Sequence, residues 1–154
     1  MKEPLGNTDA ILDFAILRER EAQEMYLGYA ARTDRKGLRS LLLTMADQEK
    51  WHEQNLRELK SGKGTASIFS GSVLQDIEIS KYTVEQTYSP DMGYQEFLLL
   101  VIKKEDKSMA LYSRLEAMAS DEESKLLFKG LAEEEKRHKT LAQDRYDLEI
   151  LTEN

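Results

Sequence analysis

Glu19, Tyr26, Glu49 and His52 recur, each 86 positions further on, as Glu105, Tyr112, Glu135 and His138, and the pattern uses both histidines of the chain. In each copy a glutamate and a histidine stand three apart, in Glu49-Lys50-Trp51-His52 and Glu135-Lys136-Arg137-His138. On a helix that interval puts both side chains on one face, one turn apart. Carboxylate oxygen and imidazole nitrogen together make the ligand mixture that suits iron or manganese. Two matched sets of one Glu plus one Glu-x-x-His therefore predict a pair of cations held by Glu19, Glu49, His52, Glu105, Glu135 and His138. The expected cofactor is a pair of such ions, two iron ions, two manganese ions or a mixed Fe/Mn pair, all accepted by the same donors. A two-metal site with open positions suits redox chemistry on small oxygen species.

Charge makes the case more strongly than spacing. Four ionised carboxylates in one apolar layer repel each other, and removing each from water costs several kcal/mol. Two divalent cations cancel four glutamates, and neutral imidazoles complete the set without adding charge.

The elements that position these residues follow from apolar periodicity. Ile11, Ala15, Ala22 and Tyr26 form one stripe, which predicts a first helix from about residue 8 to 34 with Glu19 inside the stripe. Asp34-Arg35-Lys36-Gly37 reads as a turn, after which Leu38, Leu42, Met45, His52, Leu56 and Leu59 trace a second helix towards Ser61-Gly62-Lys63-Gly64. A third helix is expected to start at Ser89-Pro90, with serine as cap, and to carry Leu98, Val101, Ile102, Met109, Tyr112 and Leu115. Ser120 and Glu123 have capping-box spacing for a fourth helix with Leu127, Leu131, His138 and Leu141 or Ala142 on its stripe. The connection over residues 61–89 is long enough to cross the bundle. Within it Val73 to Val84 favours a short helix over a strand, although Ile77 and Ile79 alternate.

Glu19 lies about sixteen residues before a turn centred near Arg35 and Glu49 about fourteen after it, a height mismatch of about 3 Å at helical rise. A second turn near residue 121 gives the same spacing for Glu105 and Glu135, so pairing the hairpins brings four carboxylates into one layer of a four-helix bundle. The predicted class is all-α, two helical hairpins joined by a long crossover linker, in a single domain over residues 1–154. A charged fraction of 33%, an aromatic fraction of 8% and only two prolines agree with long helices.

Composition also excludes. With no cysteine in the chain, thiolate chemistry, disulfides and iron–sulfur clusters are out. A net charge of −7 without a separate basic block disfavours nucleic acid, and Lys103, Lys104 and Lys107 read as one solvated helix face. No apolar leader and no run of eighteen apolar residues appear, so a soluble, cytoplasmic protein without a membrane partner is expected.

The order Glu19, Glu49-x-x-His52, Glu105, Glu135-x-x-His138 resembles the ferritin-like di-iron carboxylate proteins. More closely, Glu133-Glu134-Glu135-Lys136-Arg137-His138 and the Glu-to-Tyr spacing look like the rubrerythrin family, over nearly the whole chain. The resemblance implies that Glu49 and Glu135 bridge two irons, that Glu19 and Glu105 are terminal ligands, and that His52 and His138 complete one iron each. It also implies that Tyr26 and Tyr112 hydrogen-bond the ligand carboxylates; as residues alone they read equally well as core tyrosines. Gln48 or Glu134 is a candidate to orient a histidine ring. Trp51 turns away from the ligand stripe, which favours packing or an interface over electron transfer.

Two departures from the rubrerythrin pattern stand out. The chain carries no rubredoxin-type cysteines, so an external electron-donor protein is expected. Position 108, where an additional glutamate belongs, is serine. The expected function is a non-haem di-iron oxidoreductase that reduces hydrogen peroxide or dioxygen, as a homodimer. Iron handling by a ferroxidase is the alternative, although sixteen residues after His138 leave no room for a ferritin's fifth helix, and a metal- or oxygen-sensing module without turnover is another.

Overall fold

Among the described residues four long helices form the bundle: α1 Thr8–Arg32, α2 Lys36–Gly62, α3 Tyr94–Met118 and α4 Glu122–Tyr146. The structure, a computed structural model, describes residues 8–62, 68–69 and 77–151. α1 packs along α2 and α3 along α4, giving two hairpins, and α4 runs on into a π-helical turn, Asp147–Leu151. The architecture is an all-α four-helix bundle, as the periodicity predicts.

Two apolar clusters fill the bundle, one at each end. Ile11, Leu12, Leu56, Leu115, Met118 and Phe128 belong to the first. Met25, Tyr29, Leu38, Phe97, Val101 and Ala142 belong to the second, where the Tyr29 and Phe97 rings stack at 4.1 Å. Every helix contributes to both, and each candidate glutamate lies between its helix's contributions: Glu19 between Ile16 and Ala22, Glu49 between Ala46 and Leu56, Glu105 between Val101 and Leu111, Glu135 between Ala132 and Ala142. The carboxylates thus form a polar layer between two dry ones.

The linker crosses the bundle. At the first end Ser120 N–H donates to the Ile68 carbonyl at 2.7 Å and Phe69 bridges Ala119, so the chain leaving α2 passes the α3–α4 turn. At the other end Arg32 donates to the Met92 carbonyl at 2.7 Å, next to the start of α3. Between them Tyr82 packs on the first cluster and Val84 and Tyr88 on the second. The Tyr88 ring lies where a side chain on Gly28 would be, 2.7 Å from an ideal Cβ, so α1 needs a glycine under the linker. Of the stretch Val73 to Val84, residues 73–76 fall outside the described ones; the remainder contains one 3-10 turn, Ile79–Tyr82.

Helix ends differ from the sequence expectations in three places. α1 stops at Arg32, and α2 already includes Lys36 and Gly37; Arg39 from α2 caps α1 by donating to the carbonyls of Ala30, at 3.1 Å, and Thr33. α3 starts at Tyr94, not at Ser89-Pro90: Met92 N–H closes a turn on the Ser89 carbonyl at 3.1 Å and Gly93 is extended, at φ −76° and ψ 170°, with Arg32 bonded to the Met92 carbonyl just before it. The cap of α4 is Asp121 and not Ser120, because the Asp121 carboxylate accepts from Ser124 N–H at 2.7 Å and from Ser124 Oγ at 3.0 Å. Asp121→Ala should accordingly cost about 1 kcal/mol in urea-induced unfolding, while Ser120→Ala should change stability by less than about 0.5 kcal/mol. Equal losses would put the cap elsewhere.

Candidate metal centre

α1 presents Glu19, α2 Glu49 and His52, α3 Glu105, and α4 Glu135 and His138 to the middle of the bundle, and all six are buried. Their ligand atoms fall into two groups, each within 4.8 Å: Glu19, Glu49, His52 and Glu135, and then Glu49, Glu105, Glu135 and His138. Glu49 and Glu135 belong to both. The two imidazoles lie nearly parallel, with centroids 6.3 Å apart.

Both rings turn Nδ1 towards the acids. His52 Nδ1 stands 3.0 Å from Glu49, 3.3 Å from Glu19 and 3.4 Å from Glu135, and closes a well-formed hydrogen bond with none of them. His138 Nδ1 lies 2.7 Å from Glu105 and 3.5 Å from both Glu49 and Glu135. Both oxygens of Glu49 and Glu135, one oxygen each of Glu19 and Glu105, and His52 Nδ1 are buried without a hydrogen-bond partner. Orphaned acceptors of this kind are costly and uncommon inside proteins. Oxygen and nitrogen donors converging on two points fit two divalent cations, and a cation supplies the partner that each orphaned atom lacks.

Around the cluster, Tyr112 donates its hydroxyl to Glu19 Oε2. Tyr26, its counterpart in the repeat, sits edge-on to His138 at 6.0 Å and faces Glu105 without closing a bond of good geometry. Burial, followed by the nearby carboxylates, pushes both phenols well above their ordinary range, so both stay protonated donors. Gln48, one of two residues considered for orienting a ring, takes that part: His138 Nε2–H donates to its Oε1 at 2.6 Å. Glu134, the other, pairs with Arg137 at 3.2 Å. Trp51 is 64% exposed, in line with its helical phase. It borders a groove of about 390 Å³ between α2 and α4, whose wall includes His52, Gln48, Leu127 and Gly130. Lys104 departs from the solvated face expected of it: the side chain is mostly buried 3.7 Å from Glu21, and burial lowers its pKa.

Protons carry the compensating charge when no cation does. Burial and the neighbouring Glu135 raise Glu19 to about 8 and Glu105 to about 7. Burial and then Glu105 hold Glu49 well above its ordinary value. Burial works against charge on the histidines too, but the adjoining carboxylates outweigh it and lift His52 to about 10 and His138 to about 9. Glu135 keeps its charge: burial raises it, yet the nearby polar groups of His138, His52 and Glu49, too far or too poorly aligned for full hydrogen bonds, prevail and bring it to about 2. One ionised carboxylate thus sits among protonated neighbours.

The rubrerythrin family model matches residues 10–146. A solved structure from Thermotoga maritima, described as a ferritin-like diiron-carboxylate protein, superposes with a TM-score of 0.76 at 19% identity, over 93% of this chain and 95% of that one. A hypothetical protein from Pyrococcus furiosus superposes with a TM-score of 0.65 at 28% identity, over 90% and 87%. No curated protein matches the chain. The bundle is therefore of the ferritin-like type. None of its described helices is long and apolar enough to cross a membrane.

The shifted groups fix opposite pH responses for the two forms. Glu19, Glu49 and Glu105 hold protons in the fold that the unfolded chain releases above about pH 4.5, and His52 and His138 hold theirs until pH 9–10. The folded state binds more protons throughout that interval, so metal-free stability falls as pH rises; Glu135 acts in the opposite sense only below about pH 4.5. Cations require deprotonated ligands, so their stabilisation grows with pH. Between pH 6 and 8, the Tm of chelated protein should fall while the gap to Mn2+-loaded protein widens. Parallel curves in a thermal scan would refute a protonated cluster that exchanges for metal.

Proposed function

The chain belongs to the rubrerythrin family, and on that footing we propose that it is a non-haem di-iron oxidoreductase that reduces hydrogen peroxide or dioxygen with electrons from a separate donor protein. The observation that carries this reading is the pair of overlapping four-residue groups with their unpartnered buried oxygens. Glu49 and Glu135, common to both groups, would bridge the cations, while Glu19 with His52 and Glu105 with His138 would complete the two half-sites. Bound iron supplies the electrons and the Lewis acidity that polarises an oxygen–oxygen bond.

The protein's own residues do the rest. Tyr112 ties down Glu19 Oε2 and leaves Oε1 free for a cation. Glu105 Oε1 is likewise unpartnered, and Gln48, by accepting from His138 Nε2–H, leaves His138 Nδ1 facing the carboxylates for a cation. Apolar layers on both sides exclude bulk water, which strengthens every charge interaction within the layer. The α2–α4 groove gives a small solute a route to the His52 edge.

A second reading, iron oxidation by dioxygen, is favoured by one residue. Ser108 stands three residues beyond Glu105, equivalent in the repeat to Ala22, and both border a cavity of about 10 Å³ beside Glu105. That space holds about one water, and the other carboxylate on its wall, Glu21, is engaged by Arg18 at 3.1 Å and Lys104 at 3.7 Å and so is not free to follow a change of iron charge. Neither reading requires a cage; the assembly we propose is a homodimer, and light scattering on the eluted protein distinguishes it from a 24-subunit particle.

Rapid mixing of the iron-loaded, reduced protein with peroxide and, separately, with dioxygen tests the proposal. Oxidation by stoichiometric peroxide faster than by dioxygen supports peroxide reduction; the reverse order makes dioxygen the oxidant, with release of ferric iron marking iron oxidation and its retention dioxygen reduction, and inertness to both removes the enzyme reading. Glu49→Ala should abolish the reaction and leave the chelated protein as stable as the parent or more so, because it deletes a buried acid. A loss of about 3 kcal/mol or more in the chelated variant would instead give Glu49 a purely structural role.

A further inference from the structure

The 86-residue repeat is broken next to the two imidazoles. Gln48 and Glu134 occupy equivalent positions, each immediately before its Glu-x-x-His. Gln48 reaches across from α2, and its Oε1 accepts from His138 Nε2–H at 2.6 Å. Glu134 engages Arg137 in its own helix, and His52 Nε2 bonds to no described residue. Surroundings differ in the same sense, for His138 is fully buried whereas His52 forms part of the groove wall.

A neutral imidazole that donates from Nε2 has its lone pair on Nδ1. In His138 that nitrogen is aimed at the carboxylates of Glu105, Glu49 and Glu135, so Gln48 selects both the tautomer and the ring rotation that a cation needs. His52 has no such partner among the described residues, and its ring is ordered for ligation when the cation arrives. An acceptor on the far nitrogen also strengthens the near one as a donor. Tyr112 acts in the opposite way on the other half-site, since it shares a ligand carboxylate's charge with a proton.

We propose that Gln48 is a positioning residue for His138, and that it makes the Glu105–His138 half-site the tighter of the two, so that cations load there first. This inference rests on the two-cation reading above. The two half-sites are thus unequal although their six ligand residues repeat without change.

Anaerobic titration of the metal-free protein with Co2+, followed by the visible absorbance of the bound ion and by competition with a chelator, tests it. The parent protein should take up two ions in unequal steps; His138→Ala should remove the tighter step and His52→Ala the weaker. Gln48→Met keeps the length of the side chain but removes the acceptor, and should weaken the tighter step by about 10- to 100-fold with the weaker one unchanged. Gln48→Glu restores an acceptor and should keep the order of loading, and Glu134→Gln should move neither step. The proposal fails if Gln48→Met leaves the tighter step intact, if it weakens both steps alike, or if Gln48→Glu behaves as Gln48→Met does. Should the parent protein take up no Co2+ or a single ion, the two-cation reading itself falls.

Discussion

Four carboxylates in a dry layer need positive charge beside them, and every other part of the structure answers to that need. Without cations, protons on Glu19, Glu49, Glu105, His52 and His138 meet it below about pH 7 and leave Glu135 as the ionised acid. The solution is incomplete, because seven nitrogen and oxygen atoms of the six residues stay buried without a hydrogen-bond partner. Apolar side chains of similar volume would remove that cost altogether. A fold that keeps the acids instead gives up stability for the ability to exchange protons for something else.

The architecture makes that exchange local. Apolar clusters above and below the acids carry the packing of the bundle, so the layer between them can change its charge without disturbing the ends. The linker reinforces both ends, through Ser120 on Ile68 at one and Arg32 on Met92 at the other. Its described residues Tyr82 and Val84 border the small cavity beside Glu105, while the groove between α2 and α4 opens beside His52.

The site was far more legible in the sequence than the ends of the helices. Glu19, Glu49, Glu105 and Glu135 meet because helical rise is constant, so that counting residues on either side of a turn fixes relative heights to within a turn. Caps depend on competition between neighbours, and counting cannot decide it: Asp121 outdoes Ser120 because a carboxylate reaches two donors of Ser124 at once. The start of α3 was illegible for a related reason, since the segment before it is held in a turn and an extended Gly93, with Arg32, sixty positions away, on the Met92 carbonyl. Lys104 read as solvated because its buried side meets Glu21 of another helix. Gln48 was visible only as one of two options, because the same spacing that suggests it suggests Glu134 equally well.

The division of ligands between hairpins has a consequence for ancestry. Each hairpin brings one Glu and one Glu-x-x-His, half of the set, so a single hairpin paired with its own copy about a twofold axis already assembles all six residues. In such a pair the positions of Gln48 and Glu134 are one codon and cannot diverge. With both copies in one polypeptide the two positions are separate codons, free to differ, and here an amide stands at one and an acid at the other.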